Sequence, residues 1–246
     1  MKRCAEKGMV NKISSIDVAK YSNIVFFTGA GISAESGVPT YHGKDGIWEK
    51  YNWNEVACQE AFDNDPEKVL KFHEMRKQNL IKCQPNKGHL LIASLQKQQP
   101  NVHVITQNID GLHQRAGAEN VIELHGSIWR LRCDNEEKII ENKNEKVKSY
   151  KCNCGNWLRP DIVWFGDMLD ESVINTAKSA LINCNLFVSI GTSGIVWPAA
   201  GFPQIAKNYG AECIEINTEP TEVSNLFDKT YRGSASEILP KLFFSE

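Results

Sequence analysis

The sequence predicts an α/β fold, a doubly wound parallel sheet with a smaller lobe formed by two insertions, and three observations predict it. A strand-like run, Ile24-Val25-Phe26-Phe27, empties into the small-residue turn Thr28-Gly29-Ala30-Gly31-Ile32-Ser33-Ala34-Glu35-Ser36-Gly37. Three further apolar runs, Val102–Ile105, Leu186–Ile190 and Cys213–Ile216, also end in small or polar residues. This is the signature of parallel strands whose carboxyl ends line one crevice. Between Cys133 and Cys154 the composition then shifts sharply to charged and amide side chains.

Each element has a local reason. Residues 1–20 read as a polar lead and a short helix. The glycine-rich turn after the first strand lets backbone amides approach an anion closely, with the positive end of a helix behind them, and so points to a bound nucleotide. Its spacing departs from the usual dinucleotide fingerprint, because Ser33-Ala34-Glu35-Ser36 follows the third small position. Residues 41–62 are rich in aromatic side chains without a regular period, which predicts a loop and then short helices. Asp65 can cap a helix that has Pro66 at its first position and Glu67 in its first turn. That helix is expected to reach about Ile81 and stop before Pro85, and a second to run from His89 to about Gln96. Residues 136–151 read as a solvated hairpin or loop.

The bulk properties bound the function. A chain of 246 residues can bury a large core. With 28 Lys and Arg against 30 Asp and Glu it is close to neutral, which argues against a nucleic-acid-tracking surface. No run reaches the roughly 18 apolar residues of a membrane span, and the first residues lack an apolar signal core. The eight cysteines are scattered rather than dense, and Cys184 and Cys213 read as inert buried thiols. The expectation is a cytoplasmic protein, or one of the mitochondrial matrix if the source is eukaryotic, with no membrane or nucleic-acid partner and a monomeric state.

Five motifs, in order, carry a resemblance: Gly-Ala-Gly-Ile-Ser-Ala-Glu-Ser-Gly from Gly29, Thr-Gln-Asn-Ile-Asp-Gly-Leu-His from Thr106, Leu124-His125-Gly126, Arg159-Pro160-Asp161-Ile162-Val163-Trp164-Phe165-Gly166, and Gly191-Thr192-Ser193. From about Ile24 to about Leu239 the chain resembles the sirtuins, NAD-dependent protein lysine deacylases, and within them the bacterial and mitochondrial type that removes acidic acyl groups. The resemblance implies a Rossmann-like NAD-binding domain from residues 1–40, 84–126 and 167–246. It implies a small lobe from 41–83, a helical insertion, and 127–166, a degenerate zinc-ribbon-like insertion.

The resemblance also implies the chemistry. The carbonyl of an acylated lysine captures the sugar as nicotinamide leaves, and the alkylimidate formed is attacked by the ribose 2′-hydroxyl. That hydroxyl needs a base, and histidine has a suitable ordinary pKa near 6.5. His125 matches the family's catalytic base, whereas His103 and His113 read as structural. Asn108 matches the residue near the ribose and attacking water, and Asp110 the residue near the carboxamide. Gln107, Ile109, Ala30 and Glu35 belong to the same cofactor motifs, with Ser33 steadying the loop or ribose. Gly191, Thr192, Ser193, Asn217 and Glu219 would hold the phosphates and adenosine ribose, with Thr218 and Ala235 beside them. Tyr41 and Trp48 would shield the sugar. Tyr41-His42 stands where the family usually has Phe-Arg, and a missing guanidinium predicts weaker phosphate contact and pH-sensitive turnover.

On the substrate side, Arg76 lies three residues after His73 on a mostly apolar helix face, so a bound carboxylate would partner it. Acidic-acyl sirtuins carry Tyr-x-x-Arg there, and His73 replaces the tyrosine. Ala57 matches a small residue that widens the acyl pocket. Succinyl and malonyl groups are therefore expected beside acetyl. Val163, Trp164, Phe165 and Gly166 are expected to pair with the substrate backbone. The family's structural zinc sits on two Cys-x-x-Cys pairs. Here Glu136 stands where the first pair's second thiol belongs, and the second pair is shortened to Cys152-Asn153-Cys154. Zinc on Cys133, Cys152 and Cys154 would need a carboxylate or another side chain to complete it, and the tight spacing suits one tetrahedral ion less well. The alternatives are ADP-ribosyl transfer, NAD hydrolysis, or a non-catalytic NAD-sensing module.

Overall fold

The computed structural model describes residues 13–41, 46–143, 147 and 149–244. Six parallel strands form the main sheet: β1 (Ile24–Thr28), β2 (Val102–Thr106), β3 (Val121–Glu123) and, after the small lobe, β7 (Leu186–Ile190), β8 (Glu212–Asn217) and β9 (Lys229–Arg232), in the order β3-β2-β1-β7-β8-β9. Strand β1 is central, with Ile24 in register with Val102 on one side and Leu186 on the other. The strand order reverses between β1 and β7, which opens a crevice beyond their carboxyl ends. The four apolar runs are β1, β2, β7 and β8. Strands β3 and β9 extend the sheet at its two edges.

Alternation along β1 explains the two layers. Ile24 and Phe26 pack with Ile92, Leu95, Leu239 and Leu242 on one face. Val25 and Phe27 pack with Leu181, Phe187 and Phe202 on the other. A strand buried on both faces reads as a continuous apolar run, as this one does. Burying one such phenylalanine contributes about 1.5–3 kcal/mol.

The connections follow their sequence cues. The short helix α1 (Ala30–Ala34) leaves β1 directly, and α2 (Ile47–Lys50), α3 (Trp53–Val56) and α4 (Gln59–Asn64) bear out the short helices expected after the aromatic stretch. In α5 (Pro66–Lys82), Asp65 Oδ1 accepts the Lys68 N–H at 3.0 Å, with Pro66 in the first turn. Helix α6 (Lys87–Gln98) starts two residues before the expected position. Asn86 Oδ1 accepts from Gly88 and His89, while His89 Nδ1 accepts the Asn86 N–H. That reciprocal cap moves the helix start upstream of the apolar period. Helices α7 (Leu112–Arg115), α8 (Glu171–Asn183), α9 (Phe202–Asn208) and α10 (Ala235–Phe243) complete the cover. No helix among the described residues is long and apolar enough to cross a membrane.

A separate lobe holds the antiparallel sheet of β4 (Gly126–Cys133), β5 (Lys138–Glu141) and β6 (Arg159–Ile162), ordered β5-β4-β6. Of the polar stretch 136–151, read as a solvated hairpin or loop, Lys138–Glu141 forms β5 and pairs back onto β4, while residues 144–146 and 148 lie outside the described residues. A buried ion cluster joins it to α5. Lys77, 1% exposed, reaches Asn142 Oδ1 at 2.7 Å and Glu74 Oε2 at 3.4 Å, and the Tyr150 hydroxyl donates to Glu74 at 2.6 Å. Burying Lys77 demands these partners, because an unpaired buried ammonium is costly.

Candidate functional site

The glycine turn is built by backbone contact across the β1–β7 crevice. Gly29 N–H donates to the Ile190 carbonyl at 3.0 Å and Gly31 N–H to the Gly191 carbonyl at 2.9 Å. A Cβ on Gly31 would sit 2.6 Å from Gly191 Cα, and one on Gly29 2.7 Å from the Gly191 oxygen. Gly191 itself has φ +59, a left-handed conformation that favours glycine. These positions must be glycine for the two loops to meet.

Beside this turn lies a small recess, open to solvent, whose walls include Ala30, Tyr41, Arg76, Asn108, Ile109 and Asp110. Asn108 Nδ2 donates to the Gly29 carbonyl at 2.9 Å and to Ser33 Oγ at 3.3 Å. Ser33 Oγ donates to Asp110 Oδ2 at 2.7 Å, and Leu112 N–H to Asp110 Oδ1 at 2.8 Å. Burial pushes the Asp110 carboxyl above its ordinary range, against the bonds from Leu112 and Ser33.

Two histidines support this floor. The His89 ring, with Nδ1 accepting from Asn86, presents Nε2 to Ser33 Oγ at 3.4 Å. Burial lowers its pKa to about 4, so it is a neutral hydrogen-bonding group at pH 7. His113 Nε2 lies 3.0 Å from Thr28 Oγ1, and its ring meets His89 edge-on at 4.9 Å. The structural reading of His113 agrees with this placement. His89 escaped sequence reasoning, because it reads as one more residue of a helix start.

His125 follows β3 and is half-buried. Its Nδ1 lies 2.9 Å from the Gln107 carbonyl oxygen. A carbonyl only accepts, so Nδ1 carries the proton and Nε2 holds the free lone pair. Burial holds the imidazole below its ordinary pKa, with the Gln107 bond opposing. Gln107 directly precedes Asn108, so the anchor of this imidazole and the recess share one loop. Gly126, at φ +71, lets the chain turn there; a Cβ would sit 2.1 Å from the Asp161 oxygen. Arg130 then ties the corner, with Nη1 2.8 Å from Glu123 and Nε 2.7 Å from Asp161.

At the far end of the crevice, Asn217 Nδ2 donates to the Thr192 carbonyl at 2.8 Å, joining the loops after β7 and β8. Thr192 is buried, whereas Ser193, Thr218 and Glu219 are exposed. The loop carrying Glu219 is held by Glu215, a buried carboxylate that sequence reasoning passed over. It accepts from Thr221, Ser224 and Arg232, the last at 2.6 Å. Two more of the expected cofactor residues meet at the start of α10. Glu35 Oε2 accepts the Ser236 N–H at 3.0 Å, capping α10, and Ala235 packs toward Gly88. His42 lies outside the described residues.

The acyl-side residues separate. His73 is 3% exposed, and its Nε2 accepts the Trp164 indole N–H at 3.0 Å. Burial, then the nearby Arg76 charge, holds its pKa well below 6.5, so it stays neutral. Arg76 instead reaches the recess, where its Nη2 donates to the Tyr41 hydroxyl at 2.9 Å. Trp48 stands between Tyr41 and Phe165, with ring centroids 5.8 and 5.5 Å away. Val163 N–H donates to the His125 carbonyl at 3.0 Å, and Phe165 N–H to the Ala57 carbonyl at 3.1 Å. Those two amides are therefore engaged within the protein. Trp164 is buried, while Phe165 and Gly166 are exposed.

Cys133, Cys152 and Cys154 gather in the small lobe with sulfurs within 4.8 Å of one another, Cys133 and Cys154 being 3.6 Å apart. A tetrahedral zinc with bonds of about 2.3 Å to sulfur sets its sulfurs about 3.8 Å apart. The Cys152 thiol lies 3.2 Å from Glu136 Oε2, which brings a carboxylate to the cluster. The three sulfurs fit three of zinc's four positions, despite the shortened Cys-x-Cys spacing, and Glu136 beside Cys152 is the carboxylate near them.

The recess, the glycine turn and the two linked loops line one crevice at the carboxyl ends of the strands, where nucleotides bind in open α/β sheets, and comparison with known proteins places the chain in a family. A model described as the Sir2 family matches residues 29–198. The chain is 43% identical over 230 residues to the NAD-dependent protein deacylase of Aquifex aeolicus (strain VF5), spanning 90% of this chain and 94% of that one. A crystal structure of a Sir2 homologue–NAD complex matches with a TM-score of 0.84 at 39% identity over 94% of both chains. A mutant Sir2 homologue in complex with ADP-ribose matches at 0.86 with 41% identity over 90% of both. With its motifs, its fold and its relatives in agreement, the chain belongs to the Sir2 family, the sirtuins.

Proposed function

We propose that this protein is an NAD-dependent protein lysine deacylase, moving an acyl group from lysine to ADP-ribose with release of nicotinamide. The observation that carries the reading is the single loop that anchors the His125 imidazole at Gln107 and turns Asn108 and Asp110 into the recess beside the glycine turn. Relatives named as NAD-dependent protein deacylases support it.

NAD, when bound, supplies an electrophilic sugar carbon. Gly29, Ala30 and Gly31, with Gly191, Thr192 and Ser193, would hold its phosphates, and Asn217, Thr218 and Glu219 its adenosine end. Asp110 and Ile109 would receive the carboxamide, Asn108 the ribose, and Tyr41 and Trp48 would exclude water. His125 Nε2 takes the proton of the ribose hydroxyl, a step worth about 10²–10⁴ in rate. Holding acyl oxygen and sugar carbon in line contributes several kcal/mol more.

Acidic acyl groups, succinyl and malonyl, are accepted alongside acetyl. Arg76 on the wall of the recess and the small Ala57 support this range. The exposed Phe165–Gly166 segment is the assigned edge for the substrate peptide. The described cysteines are all unpaired, which supports a reducing compartment, the cytoplasm.

Mass spectrometry of products from NAD and a panel of acyl-lysine peptides tests the function. Nicotinamide and 2′-O-acyl-ADP-ribose are expected in equal amounts. Free ADP-ribose alone, or an ADP-ribosylated peptide, would replace this reading with NAD hydrolysis or ADP-ribosyl transfer.

A further inference from the structure

Helix α5 carries two polar residues one turn apart that the fold sends to different surroundings. His73 is buried away from the recess, where its Nε2 accepts the Trp164 indole N–H. Arg76 points the other way. Among the described residues its neighbours are aromatic: the Tyr41 ring at 5.0 Å, the Phe72 ring at 5.9 Å, and the Tyr41 hydroxyl at 2.9 Å. The carboxylate that shares its recess, Asp110, already takes bonds from Ser33 and Leu112. A guanidinium placed so on a cavity wall is half of an anion site.

The other half is the Tyr41 hydroxyl. The Tyr41 oxygen accepts an N–H from Arg76, which leaves its own O–H to donate. Phenol and guanidinium thus present two kinds of donor to one wall of the same recess. We propose that Tyr41 and Arg76 form a two-point clamp for the carboxylate of an acidic acyl group, the Tyr41 hydroxyl acting as the second donor that position 73, turned away from the recess, does not present there. This rests on the deacylase reading above and on Arg76 as its carboxylate reader. One carboxylate oxygen takes N–H bonds from Arg76 and the other the Tyr41 O–H. A neutral acyl chain of the same size leaves the clamp unfilled. Position 41 is then a specificity determinant, as well as part of the cofactor turn.

The test compares succinyl-lysine with its neutral isostere, the succinamide of lysine, in one peptide at saturating NAD. The readout is the ratio of kcat/KM between the two, so changes common to both peptides cancel. Tyr41→Phe is expected to lower this ratio about tenfold, in line with one charge-assisted hydrogen bond. Arg76→Met is expected to lower it further, and Tyr41→Phe added to Arg76→Met to change it little more. A drop for Arg76→Met with no change for Tyr41→Phe overturns the clamp and leaves Arg76 as sole reader. No change for either overturns the clamp together with the acidic-acyl reading, while product analysis of wild type still decides deacylation separately.

Discussion

The Nδ1 atom of His125 lies 2.9 Å from the carbonyl oxygen of Gln107, so the tautomer of the proposed base is set by the backbone. Burial lowers its pKa below 6.5. The neutral form therefore persists at and above pH 7 and is lost as pH falls through that lowered value. We expect kcat/KM to be level from pH 7 to 8 and to fall tenfold per unit on an acid limb below 6.5. His125→Ala should cost about 10²–10⁴ in kcat. An acid limb centred above pH 7 would contradict the assignment.

Arg130 ties Glu123, two residues before His125, to Asp161, two residues before the strand segment that bonds the His125 carbonyl. It is a positioning residue. Arg130→Met should leave two carboxylates uncompensated, destabilise by about 1–3 kcal/mol, and displace the acid limb of the pH profile. Arg130→Lys should restore much of both. A loss of stability with an unmoved profile would reduce Arg130 to a purely structural tie.

Gly31 and Gly191 touch backbone to backbone. Gly31→Ala puts a Cβ 2.6 Å from Gly191 Cα, where no flexible side chain can give way. Overpacking of this kind costs about 1–3 kcal/mol or more. Urea unfolding should show that loss, and calorimetry a weakened NAD affinity.

The three gathered thiols predict about one equivalent of zinc per chain by elemental analysis. Cys133→Ser should abolish it and lower Tm, and Glu136→Gln should speed zinc loss to a chelator. Metal-free protein with an unchanged Tm would argue that the cluster holds no ion.

Asp65 caps α5 through the Lys68 N–H. Asp65→Ala should cost about 1 kcal/mol without changing the denaturant m-value. Because α5 carries Arg76, the same variant should also loosen acidic-acyl recognition, measured by KM.

Local chemistry was readable wherever it depends on neighbours in the chain. The Asp65-Pro66-Glu67 start of α5, the four apolar strands and the glycine turn all appear as expected, since capping, alternation and turn geometry act over a few residues. Strands β3 and β9 escaped because edge strands of three or four residues carry no period. The acyl side escaped for another reason. Helical spacing puts His73 and Arg76 on one helix face but does not say what covers each. His73 is covered by Trp164, 91 positions away, and Arg76 meets Tyr41, 35 positions away. Glu215 and Lys77 were likewise unreadable as buried charges, because their partners come from other elements.

What the amino-acid order determines here is the set of elements, the crevice at the β1–β7 reversal, and the identity of the imidazole beside it. What only the folded chain decides is which polar groups still face that crevice. Hydrogen bonding and burial join residues far apart in the chain, and they engage His73 Nε2, Ser33 and Glu35 inside the protein while leaving Arg76 and the Tyr41 hydroxyl on the wall of the recess.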